Sequence, residues 1–105
     1  MPVNFYIDKR TDRRGDAAVR MSVAVRGARF LSSTGLKVPP AKWDAGRQQM
    51  RRGCSSGAGM TWSTVNEVLA RIAAHFTAYE NECVARNTAV TPDMLRAEFV
   101  RHFRQ

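Results

Sequence analysis

The spacing of apolar residues changes period partway along the chain, and that change limits the architectures open to it. In VNFYIDK (3–9), Val3, Phe5 and Ile7 alternate with Asn4, Tyr6 and Asp8. In AAVRMSVAV (17–25), Val19, Met21, Val23 and Val25 alternate with Arg20, Ser22 and Ala24. A repeat of two puts successive side chains on opposite faces of a strand. Beyond residue 60 the step becomes three and four. Trp62, Val65, Val68, Leu69, Ile72, Phe76, Tyr79 and Cys83 mark one stripe of an amphipathic helix. Strands come first and helices after, which is the α+β class.

The connections fix more. TDRRGD (11–16) is polar and contains Gly15, and Arg26-Gly27 is short enough for a hairpin turn. ARFLSST (28–34) continues as a third strand. Two short links between three consecutive strands imply a three-stranded antiparallel β-sheet, a meander. Residues 45–60, AGRQQMRRGCSSGAGM, carry four glycines and no periodicity, and read as a flexible linker. The expected organisation is a β-sheet domain over 1–60 and a helical region over 61–105. Thr64 with Glu67 fits a capping box for the first helix, with Thr61 or Ser63 as other caps, and Asn87 suits a left-handed stop. Thr91, Pro92 and Asp93 open a second helix, with Val90 and Leu95 spaced as a hydrophobic staple. Leu95, Phe99 and Phe103 recur every four residues and are expected to pack on the first helix, closing a helical hairpin.

The net charge is +8. All of it falls in residues 1–60, where twelve Lys and Arg face four Asp; residues 61–105 hold five of each sign. A polyanionic partner would therefore meet the sheet. One face of that sheet is apolar and needs a cover, whereas the other carries Arg20 beside Ser22 and Ala24. Small residues between long Arg side chains let a sheet press close to a surface. The DNA major groove admits a β-ribbon, and Arg forks onto guanine edges or phosphates. The candidate base readers are Arg20, Ser22, Arg26 and Arg29, with Tyr6 nearby. Lys9, Arg10, Arg13, Arg14 and Lys37 are the candidate phosphate contacts. A basic face is more often merely solvated, but here the charge is one-sided and the arginines alternate with Ser and Ala instead of with acids.

Catalytic chemistry finds little to use. His75 and His102 have no partner at metal-ligand spacing, no glycine-rich loop runs into Lys-Ser/Thr, and no carboxylate pair stands out. The expectation is no catalytic residue, no metal, no cofactor and no small-molecule substrate. Cys54 and Cys83 match no redox spacing and read as a loop thiol and a small buried hydrophobe. No apolar run approaches the ~20 residues that span a bilayer, and MPVNFYIDKR lacks the pattern of a secretory signal. A cytoplasmic, nucleoid-associated protein with no membrane partner is the expectation.

Residues 3–44, VNFYIDKRTDRRGDAAVRMSVAVRGARFLSSTGLKVPPAKWD, resemble the arm-type DNA-binding domain at the N-terminus of bacterial phage and conjugative-transposon tyrosine recombinases, the integrases. Ser33-Thr34-Gly35, Val38, Pro39 and Trp43-Asp44 match that family's pattern in order. STVNEVLARI followed by VTPDMLRAEF is similar to the helical region that follows there, including Asn66 and Val90-Thr91. The resemblance implies sequence-specific binding of double-stranded DNA at arm-type sites during integration of a mobile element. Other recombinase subunits or accessory factors on DNA are further implied partners. The family's nucleophilic tyrosine lies in a separate catalytic domain. Tyr6 and Tyr79 sit in a strand and on an apolar helix stripe, so the resemblance implies a non-catalytic fragment of a longer integrase. Within SSTGLKVPPAKWD (32–44), Gly35 is expected to bend the third strand where a side chain would clash. Pro39-Pro40 should hold extended backbone into a short helical turn, and Trp43 should plug the apolar side of the sheet. A reading from another class is a protein-interaction module, in which the stripe of the first helix meets a neighbouring subunit or accessory factor. An RNA-binding sheet is weaker, because only Tyr6 offers a ring for stacking.

Overall fold

The alternating segments form three strands, β1 (Val3–Thr11), β2 (Ala17–Val25) and β3 (Ala28–Val38), in an antiparallel sheet of order β1-β2-β3. The computed structural model describes residues 2–103. A 3-10 turn over Pro40–Lys42 leads into a small hairpin, β4 (Trp43–Asp44) with β5 (Gln49–Met50), and two helices follow, α1 (Trp62–Ala85) and α2 (Pro92–Phe103). The fold is α+β, as the change of period requires. Among the described residues no helix is long and apolar enough to cross a membrane.

Phe5, Met21 and Phe30 come from all three strands and point to one side, where Val65, Leu69, Ile72 and Phe76 of α1 and Leu95 and Phe99 of α2 cover them. Trp43 joins this core as the plug. Residues on either side of position 60 thus contribute to a single apolar cluster. Phe99 stacks on Phe76 of α1 and also meets Phe30 of β3, so α2 packs on the sheet as well as on its neighbouring helix.

β3 runs four residues beyond the expected end because it absorbs an irregularity at the Ser-Thr-Gly step. Arg20 pairs with Ser33 but Ala18 pairs with Lys37, so β3 advances four residues while β2 advances two. Thr34 Oγ1 fills the gap in the ladder, donating to the Val19 carbonyl at 2.7 Å and accepting from Leu36 N at 3.2 Å. Gly35 takes φ +84°, and a Cβ there would meet nothing within 4 Å. The expected clash is absent; the left-handed backbone is what favours glycine. β1 is irregular at the same level, between Ile7 and Thr11. Both bulges flank the central strand near Ala17–Arg20, where added twist is expected.

Residues 45–60, read as a loose linker, are tied back at several points. Gln48 accepts from Phe5 N at 2.7 Å and donates to Asn4 Oδ1 at 3.1 Å, which occupies the outer edge of β1. Asn66 of α1 pairs with both backbone groups of Met50, at 2.8 and 3.0 Å. Asp16, 1% exposed, accepts from Gly57 N at 2.8 Å and Ala58 N at 3.2 Å. A polar stretch without periodicity hides such ties, since each is a single long-range bond. At α1, Thr61 is the cap, accepting from Thr64 N, in place of the Thr64–Glu67 box. Asn87 has the left-handed φ of +57°, and Thr91 caps α2 through Met94 N.

Gly57 is held where no side chain fits. A Cβ there would lie 2.6 Å from the Arg14 carbonyl oxygen and 2.8 Å from Arg14 Cβ. Relief would pull the loop off Asp16, so Gly57→Ala is expected to cost about 1–3 kcal/mol in urea unfolding. Gly46→Ala, whose Cβ would make ordinary contact at 3.5 Å, should stay within about 0.5 kcal/mol of the parent. Equal costs would remove the packing argument for Gly57.

Candidate nucleic-acid interface

With the helices on one side, the other face of the sheet is left open. Residues directly opposite in an antiparallel ladder share a face, so the register assigns its rows. Tyr6, Arg20 and Ser33 form one row; Asn4, Ser22 and Leu31 form the next. Ala24 and Arg29 follow towards one end, and Ala18 and Lys37 lie towards the other. Tyr6, Arg20, Ser22, Arg29 and Lys37, all anticipated, therefore share one surface. Leu31, 49% exposed, stands on it as well. Adjacent apolar residues Phe30 and Leu31 leave a strand's facing ambiguous in sequence, and only the pairing resolves it.

The remaining candidates frame this face. Arg26 lies in the turn between β2 and β3, with φ +42° followed by Gly27 at +78°. Arg13 and Arg14 occupy the turn at the opposite end, and Lys9 and Arg10 approach it along β1. The nine residues of β2 separate the two ends by roughly 30 Å. The 12–16 turn is closed by bonds from Asp12 N to Asp16 O, 2.8 Å, and from Gly15 N to Asp12 O, 3.1 Å. Asp12 Oδ1 also accepts from Arg14 N and Asp16 N. The hydrogen bond from Asp16 N is the largest influence on the Asp12 carboxyl; desolvation opposes it, but with Lys37 and Arg14 N added the group is held below its ordinary range. Lys37 pairs with Asp12 at 3.2 Å.

Besides Asp12, which meets Lys37 at the turn end, Asp8 reaches the open face. Asp8 lies 3.8 Å from Arg20, both about one-third exposed. Along β2 Arg20 alternates with Ser and Ala and not with acids, as read from the sequence, while across the ladder β1 brings Asp8 beside it. Of the other acids in residues 1–60, Asp16 is buried on the loop and Asp44 accepts from Arg47 N at 3.1 Å. The acidic groups are largely spent on backbone, and the basic side chains at both ends are exposed.

The α1 stripe is not on the surface: Val65, Leu69, Ile72, Phe76 and Cys83 are buried within the chain, with Trp62, Val68 and Tyr79 packed against the core. Cys54 and Cys83 are both free thiols.

The two histidines depart from expectation. His75 on α1 and His102 on α2 each place Nε2 against the same oxygen of buried Glu98, at 2.9 and 3.2 Å. Arg101 pairs with the other Glu98 oxygen. The Glu98–His102 spacing of four was visible in the sequence; the approach of His75 from 23 residues away was not. Burial pushes the Glu98 carboxyl up, but the hydrogen bonds from His75 and Arg101 and the nearby positive charges outweigh it and leave the group below its usual range.

No family model, curated protein or solved structure matches this chain.

Proposed function

We propose that the open face of the sheet binds double-stranded DNA in the major groove. The observation that carries this reading is the pair of cross-strand rows, Tyr6–Arg20–Ser33 and Asn4–Ser22–Leu31, bounded at both ends by basic residues. Hydrogen-bonding side chains and one exposed aliphatic group on a narrow ribbon suit base edges and thymine methyls. The basic ends suit phosphates. The ordered Ser-Thr-Gly, Val-x-Pro and Trp-Asp motifs support the finer reading, an arm-type DNA-binding fragment of a tyrosine recombinase acting in integration of a mobile element. On that reading the fragment itself performs no catalysis, and it works in the cytoplasm on the nucleoid. Tyr6 is the single aromatic ring in the described rows, which favours duplex over single-strand stacking.

If four to six phosphates are neutralised, log affinity should fall against log salt with a slope of about −4 to −5. Fluorescence anisotropy with labelled duplex over a salt series measures it. No duplex binding, or binding indifferent to salt, overturns the proposal.

A further inference from the structure

Among the described residues, His75, Glu98 and His102 are the one group of three metal-capable side chains whose ligand atoms converge, all within 4.8 Å of one another. We propose that they bind a divalent transition metal of the zinc class, which clips α2 onto α1. Two imidazoles and one carboxylate form a mixed N/O donor set that suits zinc and gives magnesium little to hold. Ligands at about 2.0–2.1 Å from a tetrahedral ion stand about 3.3–3.4 Å apart. The observed separations of 2.9 and 3.2 Å from Glu98 Oε1 to the two Nε2 atoms need to widen only slightly. Each imidazole would then carry its proton on Nδ1 and offer the Nε2 lone pair to the ion.

The surroundings favour this geometry. Glu98 and His102 are four residues apart on α2, one above the other on the same face. Arg101 holds the second Glu98 oxygen, which orients Oε1 and favours single-oxygen coordination. Phe103 meets the His75 ring edge-on, with centroids 5.4 Å apart, and restricts its rotation. The imidazoles are 26% and 44% exposed and line a cleft of about 410 Å³ with Arg71, Ala74 and Phe103. That cleft provides an entry path and room for water as a fourth ligand, the open position that three-ligand zinc sites keep. The site lies on the helical layer, away from the open sheet face, so it stands independently of the DNA reading.

The test is titration of zinc chloride into the whole chain at pH 7.5 by calorimetry, with magnesium chloride as control, alongside thermal unfolding. One zinc per chain is expected, with Tm raised by roughly 10 °C or more at a hundredfold excess over Kd. Magnesium should do neither. His75→Ala and His102→Ala should each weaken zinc binding at least tenfold. His102 is well exposed, so its variant keeps the test valid if the His75 variant fails to fold. Cobalt(II) in place of zinc should show the intense visible bands of a four-coordinate ion, lost in His102→Ala. No stoichiometric zinc binding, or binding unchanged in a folded histidine variant, overturns the proposal.

Discussion

Phe30→Ala is expected to destabilise the protein by about 3–5 kcal/mol and to unfold sheet and helices together. Phe30 is 1% exposed on β3, and its ring centroid lies 6.3 Å from both Phe76 of α1 and Phe99 of α2. Phe76 and Phe99 in turn stack on each other at 6.4 Å. Three rings from three elements meet at one point, and removing the strand's ring leaves a void that two stiff aromatics cannot close. Against a typical total of about 5–15 kcal/mol, this is a large fraction. Because both helices lean on the same residue, neither should survive the loss of the sheet. Urea unfolding followed by tryptophan fluorescence and by helical circular dichroism checks this. Trp43 plugs the sheet core, and Trp62 opens α1. Coincident midpoints, shifted together in the variant, are expected. A helical transition separate from the fluorescence transition would divide the chain into two units and refute the shared-core account.

The sequence carries the parts of this fold whose cause is local. Alternation set β1 and β2, the three-and-four stripe set α1, and Thr91-Pro92 set the start of α2. Each depends on residues within a few positions of one another. What escaped depends on distant partners. Thr34 Oγ1 and the positive φ of Gly35 make sense only against the Val19 carbonyl, fifteen residues away. Gly57 is explained by Arg14 and Asp16, and glycine-rich composition alone reads as looseness. The candidate interface divides in the same way. Alternation was enough to put Arg20 and Ser22 on one face. Asp8 already falls on the polar side of β1 by alternation, but its approach to Arg20, like the facing of Leu31, depends on cross-strand register, which single-strand periodicity does not contain.

Asp8 changes what Arg20→Ala should reveal. An exposed ion pair at 3.8 Å contributes about 0–1 kcal/mol to stability, so it does not lock Arg20 away from a ligand. It does bias where the guanidinium points. A mid-strand arginine held in this way can keep a bidentate fork on guanine, and its loss should cost about 1–3 kcal/mol at the preferred site, a roughly 5- to 150-fold drop. The loss on scrambled duplex should be smaller, so discrimination narrows. Arg13 and Arg14 lie on the 12–16 turn, beyond the rows, and are placed to meet phosphate. Arg13→Ala and Arg14→Ala should weaken all duplexes alike and make the salt slope shallower by about one unit. Asp8→Ala removes a negative charge from the face, so it should strengthen binding to scrambled duplex while lowering discrimination. The measurement is anisotropy of each variant with a duplex selected from a random pool and with its scrambled counterpart, over a salt series. If Arg20→Ala weakens both duplexes by one factor while the turn variants lose discrimination, the roles of reader and anchor are reversed. If none of the arginine variants changes binding, the open face is not the DNA surface.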